Sequence, residues 1–105
     1  MKLVLNTTES TTGKYAVVSL GKILKDLHSA EGVGASIISD PSLIEFGKAG
    51  SPDEFFVIKL KDRYAGAALL AYAEAARADD PEYAEEVVWL ALRAGLNSPF
   101  CKKPD

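Results

Sequence analysis

Hydrophobic and polar positions change period once in this chain without an intervening loop, between Glu54 and Ala78. Phe56, Ile58 and Leu60 alternate with Phe55, Val57, Lys59 and Lys61, the period-two pattern of a strand. From Asp62 the period lengthens, and Ala65, Ala68, Leu69, Tyr72, Ala73 and Ala76 fall on one helical face. The pattern predicts a strand over 54–61 that runs directly into a helix. Asp62 is its expected cap, the carboxylate accepting from free N–H groups of the first turn. The stripe is mostly alanine, the best helix former and small enough for close helix approach.

The next boundary is Asp79-Asp80-Pro81-Glu82. Asp80 suits an N-cap and Pro81 the first helical position. Glu82, Glu85 and Glu86 complement the positive end of the helix, and Gly95 is the residue expected just past its end. Two antiparallel helices with a very short connection follow. Tyr83, Val87, Leu90, Ala91 and Ala94 make the second helix's apolar face, widened by Val88 and Leu92. Trp89 breaks the pattern. Glu85 and Glu86 precede it by one turn and Arg93 follows by one turn, so a large indole stands on the charged side and calls for cover.

The first half is less regular. Lys2 to Asn6 reads as a short strand, followed by the polar loop TTESTTG. Lys14 to Leu20 suits a second strand by its β-branched and aromatic content, giving a hairpin with a long loop. Ala16, Val17, Leu20, Ile23, Leu24 and Leu27 also fit one helical face. Gly21 favours strand first and then a short helix over 21–30, because glycine inside a helix costs ~1 kcal/mol. Glu31 to Gly34 is a glycine-rich break. The apolar runs 35–39 and 43–46 flank the turn dipeptide Asp40-Pro41, as a small hairpin or with a helical turn after Pro41. GKAGSPD, 47–53, is loop.

Composition narrows the class. A chain of 105 residues, 48% hydrophobic and 26% charged, suits one soluble α+β domain over 1–105: a small, mainly antiparallel sheet with a C-terminal helical hairpin. A net charge of −3, from 15 acidic and 12 basic residues, argues against a dedicated nucleic-acid binder and is too mild for a DNA mimic. One cysteine, Cys101, allows no intrachain disulfide and fits a reducing compartment. Neither a signal peptide nor the ~18 apolar residues of a membrane span is seen, so a cytoplasmic protein is expected.

Candidate chemistry is sparse. Lys59, Lys61, Arg63 and Tyr64 gather where the strand meets a helix N-terminus, a place favourable for anions. They are the candidate site for a phosphate-bearing ligand, the plain alternative being solvated lysines and an ion-paired arginine. His28, beside Asp26 and Ser29, lies too close to them on one helix to build a triad. Cys101 has neighbouring lysines that would lower a thiol pKa, but its only histidine partner is distant in sequence. No carboxylate cluster reads as a metal site, and GKAGSPD lacks the spacing of a phosphate loop. No catalytic residue, metal or cofactor is expected. Trp89, Arg93 and Phe100 are the candidate interface, in a homo-oligomer or under the chain's own tail.

EFFVIKLKDRYA, ALLAYAEAA, DDPEYAEEV and the ending NSPFCKKPD resemble a group of small proteins of unknown function encoded by tailed phages and prophages. The resemblance covers about half the chain, from Asp53 onward, and assigns no functional residue. It implies a phage accessory protein in the host cytoplasm, of the kind that inhibits host enzymes or defence systems or sequesters defence signals. The expectation is therefore a non-enzymatic binding protein acting on a host protein or a nucleotide signal. The alternatives are a small nucleotide- or phosphoester-processing enzyme and a structural or assembly factor.

Overall fold

The computed structural model of the chain describes residues 15–23 and 29–103. Its fold is α+β: a two-stranded antiparallel sheet and, among the described residues, three α-helices, the last two packed as a hairpin. The chain divides into two compact units, whose described residues run from 15 to 56 and from 57 to 103.

In the first unit, β1 (Val17–Val18) pairs with β2 (Ile44–Glu45) in the register Val17↔Glu45 and Val18↔Ile44. Ser19 N donates to Leu43 O at 2.9 Å and extends the ladder. The strand reading of Val17 and Val18 holds, and the described partner is β2. The strand expected over 2–6 lies outside the described residues. Leu20–Lys22 form a 3-10 turn, and Ile23 is extended and buried. The helix expected over 21–30 therefore does not start there, and residues 24–28 are outside the description.

Helix α1 (Ala30–Ser39) occupies the stretch expected to be a break and a short apolar run. Its ends explain why two glycines do not prevent it. Ser29 Oγ accepts from Gly32 N at 2.9 Å, Glu31 sits in the first turn, and Ser36 Oγ donates to Gly32 O. At the other end Asp40 Oδ1 accepts from Ser42 N, and Pro41 opens the 3-10 turn Pro41–Leu43 that leads into β2. Of the run 43–46, Leu43 closes that 3-10 turn and Ile44–Glu45 form β2, so neither a hairpin with 35–39 nor a helical turn over the whole run is found. The loop 47–53 is a true turn. Gly47 and Gly50 have positive φ, and Ser51 donates to Lys48 O through both N and Oγ.

The second unit is built on α2 (Ala65–Ala76) and α3 (Pro81–Ala91). Its buried hydrophobic residues are Ala65, Ala73, Ala84, Val87, Ala91 and Ala94. An alanine seam sets a close interhelical approach. The N-terminus of α3 is as expected: Asp80 Oδ1 accepts from Tyr83 N at 3.1 Å and Pro81 stands at the first helical position. Beside the connection, the Tyr72 and Tyr83 hydroxyls share a 2.8 Å hydrogen bond, with the rings edge to face. That bond, ahead of burial and nearby negative charge, holds the Tyr83 phenol above its ordinary pKa.

Two expectations are corrected. Residues 54–60 form no strand: Phe56 is 71% exposed, and the one described bridge nearby pairs Asp62 with Lys102 in parallel. A strand needs a partner edge, and among the described residues none pairs with 54–60. Leu92, expected to widen the buried face of α3, is 62% exposed.

Asp62 is not the cap expected: the cap position of α2 is Tyr64, which has no side-chain cap hydrogen bond, and Asp62 shapes the turn two residues before it. Its Oδ1 accepts from Tyr64 N at 2.8 Å, and its carbonyl accepts from Ala65 N. Asp62→Ala is expected to lower stability by ~1 kcal/mol, read from the urea midpoint at constant m-value. An unchanged midpoint would show that this turn does not fix the helix start.

Candidate functional site

The four predicted ligand residues lie on the approach to α2. Asp62 N donates to Lys59 O at 2.9 Å, so the chain turns over 59–62 and continues through Arg63 and Tyr64 into the helix. Lys59, Lys61, Arg63 and Tyr64 are all exposed. Their side chains thus occupy consecutive positions around one turn in place of the face of a strand.

The structure adds a residue to this group from about forty positions away. Arg63 N donates to Lys102 O at 2.9 Å, and Lys102 N donates to Lys61 O at 3.0 Å. This bridge brings the backbone of the tail back along the turn, with Lys102 paired to Asp62 and Lys103 next to it. The result is a ridge of two adjoining backbone segments that carry the exposed residues Lys59, Lys61, Arg63, Lys102 and Lys103, with Tyr64 at the helical end. The only carboxylate within the turn is Asp62, whose Oδ1 is engaged by Tyr64 N.

The backbone N–H groups at the start of α2 contribute little to anion binding. Tyr64 N is taken by Asp62 and Ala65 N by the Asp62 carbonyl. Gly95 occupies the space before Gly66 N, where a Cβ on Gly95 would stand 2.8 Å from that nitrogen. The positive charge here is therefore carried by side chains.

The candidate interface residues are separately placed. Trp89 is 63% exposed, Arg93 is exposed and Phe100 is 75% exposed. The tail does not bury the indole: its backbone turns at Ser98, with Ser98 Oγ accepting from Phe100 N, and then pairs with 61–63. Cys101 is a free, half-buried thiol, and His28 lies outside the described residues.

Other possible sites are poorer. Among the described residues, no three His, Cys, Asp or Glu side chains are gathered for a metal ion, and no helix is long and apolar enough to cross a membrane. An open hollow of about 370 Å³ in the first unit is lined by Ser42, Ile44, Phe46, Gly47, Lys48 and Asp53, among others. None of the predicted ligand residues reaches it. No family model matches the chain, and neither a curated protein nor a solved structure does.

Proposed function

We propose that this chain is a non-enzymatic binding protein of phage accessory type, an inhibitor or sequestering factor directed at a host protein or a phosphate-bearing signal. The observation that carries the reading is the basic ridge, where the tail's backbone bridge adds Lys102 to Lys61 and Arg63. Several cations around one exposed turn, with an aromatic ring beside them, suit a ligand with more than one charged oxygen. An engaged Asp62 and no second carboxylate within the turn favour holding such a ligand over transforming it. The phage context rests on the resemblance of the segments from Asp53 onward.

A thermal-shift panel of nucleotides, cyclic ones included, tests the ligand. At ~100 times Kd, mass action adds about 2.7 kcal/mol to stability. A binding nucleotide is expected to raise the Tm of the wild type, to raise it less in Lys102→Ala, and to leave the Lys59, Lys61, Arg63 triple alanine variant unmoved. A panel that never shifts the wild type removes the sequestration reading. Inhibition of a host protein then stands or falls on pull-down from host lysate, with binding lost in the triple variant.

A further inference from the structure

The second unit separates its charges end from end. Helices α2 and α3 pack as a hairpin, so the start of α2 and the end of α3 lie together, with the connection 77–80 at the opposite end. Gly95 fixes the open end. Its N–H donates to Leu60 O at 2.8 Å, and its backbone crosses Gly66 at glycine distance. In the turn before α2 and in the chain after α3 stand Lys59, Lys61, Arg63, Arg93, Lys102 and Lys103, all exposed. Glu74, Asp79, Asp80, Glu82, Glu85 and Glu86 belong to the connection half. Among the described residues of this unit, only Asp62 and Arg77 break the division, and Arg77 pairs with Glu74 and Glu85 inside the acidic half.

The chain after α3 is a short, well-bonded loop. Gly95 is held on Leu60, and Lys102 on Lys61 and Arg63, so both ends of 95–102 are pinned on 60–63. Between the pins, Ser98 N donates to Gly95 O, Cys101 N donates to Ser98 O, and Phe100 N donates to Ser98 Oγ. Pro99 adds a fixed φ. This ordered loop nevertheless holds its two large apolar side chains, Leu96 and Phe100, in solvent, each 75% exposed. Large apolar groups brought to one end of a unit mark a contact surface.

The charges beside them say what kind. Six cations against one described carboxylate at this end call for an anionic partner. Leu96 and Phe100 stand out from the loop, the reverse of the recess that takes a small ligand. An aliphatic side chain also adds nothing to the stacking that holds nucleic-acid bases. Protruding aliphatic and aromatic groups set among lysine and arginine suit a surface that is apolar below and negative above. We infer that the open end of the hairpin docks on an anionic lipid surface, with Leu96 and Phe100 entering the headgroup–acyl boundary and the cations staying among the headgroups. The acidic half then points away from the negative leaflet, which repels it and fixes the orientation. This docking does not require the basic turn to hold a nucleotide, so either reading can fail alone.

The test is co-sedimentation of the full chain with two kinds of vesicle, phosphatidylcholine alone and phosphatidylcholine with about one-third phosphatidylserine. The wild type is expected to pellet with the anionic vesicles only, and less at about 0.5 M salt, where the Debye length is short. Phe100→Ala and Leu96→Ala are each expected to weaken this partition at least about tenfold, since each loses a buried apolar side chain. Lys61→Ala is expected to weaken it about fivefold. Arg77→Gln, which removes a cation from the acidic half, is expected to leave it unchanged. If Phe100→Ala does not fold, Leu96→Ala and Lys61→Ala carry the test. A wild type that never pellets with anionic vesicles overturns the inference. So does equal binding to neutral vesicles, or binding indifferent to both Phe100→Ala and Leu96→Ala. The surface belongs to another partner, and the inference falls, if the same variants instead abolish binding to a single-stranded oligothymidylate or dissociate a lipid-free dimer.

Discussion

Gly95→Ala is expected to cost the second unit about 2–4 kcal/mol, from a left-handed backbone forced on an L-residue and from a methyl group with no room. Gly95 has φ +59°, and its N–H donates to Leu60 O at 2.8 Å. A Cβ there would stand 2.8 Å from Gly66 N and 3.0 Å from Arg63 O, both backbone atoms that cannot rotate away. The facing residue is tight as well, since a Cβ on Gly66 would lie 3.2 Å from Ala94 O. The chain leaving α3 thus passes across the start of α2 at glycine distance. Gly50→Ala is the control: φ is +82° there, but a Cβ meets nothing within 4 Å. Urea unfolding followed by far-UV circular dichroism separates the two costs. If Gly95→Ala loses no more than Gly50→Ala, the close crossing contributes nothing.

Ala84→Leu is expected to lower stability by about 1–3 kcal/mol, the usual penalty for forcing extra methylenes into a packed seam. Ala84 is 0% exposed on α3, and the helix it faces across the hairpin buries Ala65 and Ala73. Each kcal/mol should move Tm by roughly 4–8 °C in a chain of this size. Ala67→Leu, at an exposed position of α2, is expected to stay within ±0.5 kcal/mol. Equal losses at the two sites would mean that α2 and α3 are not held apart by alanine alone.

The two glycines and the alanine seam bear on function through what they leave outside. A hairpin closed by alanines buries little apolar area, while Trp89, Leu92, Leu96 and Phe100 stay largely exposed in the same unit. Apolar side chains of this size on a surface mark contact with another molecule more often when they cluster than when they stand singly. On α3, Trp89 and Leu92 are neighbours by helical spacing alone.

Several parts of this molecule were legible along the chain because their causes are local. Asp80, Pro81 and the alanine stripe announce α2 and α3, since caps act within three residues and helical bonds within four. The outward position of Trp89 follows from the same spacing. The glycine turn at 47–53 carries its own backbone signal in two positive φ angles. Lys59, Lys61, Arg63 and Tyr64 are neighbours in any conformation.

Tertiary structure decided the rest, wherever the outcome depends on a partner distant in the chain. The run Phe55 to Lys61 has strand periodicity, yet periodicity supplies only one side of a ladder. Its described backbone bridge falls at Asp62 and goes to Lys102. Residues 30–39 have a weak apolar pattern and two glycines, and become α1 because Ser29 and Asp40 fix its two ends. Gly95 reads as a helix terminator in sequence, whereas its place is set by the backbone of residues 60–66 passing beside it. Lys102 joins the basic ridge through two hydrogen bonds to residues about forty positions earlier. The sequence by itself determined where α3 begins and that Trp89 faces away from the hairpin. The tertiary structure alone decided which apolar run goes unpaired and which backbone segment the tail joins, because a ladder bond or a glycine crossing exists only once its far partner is in place.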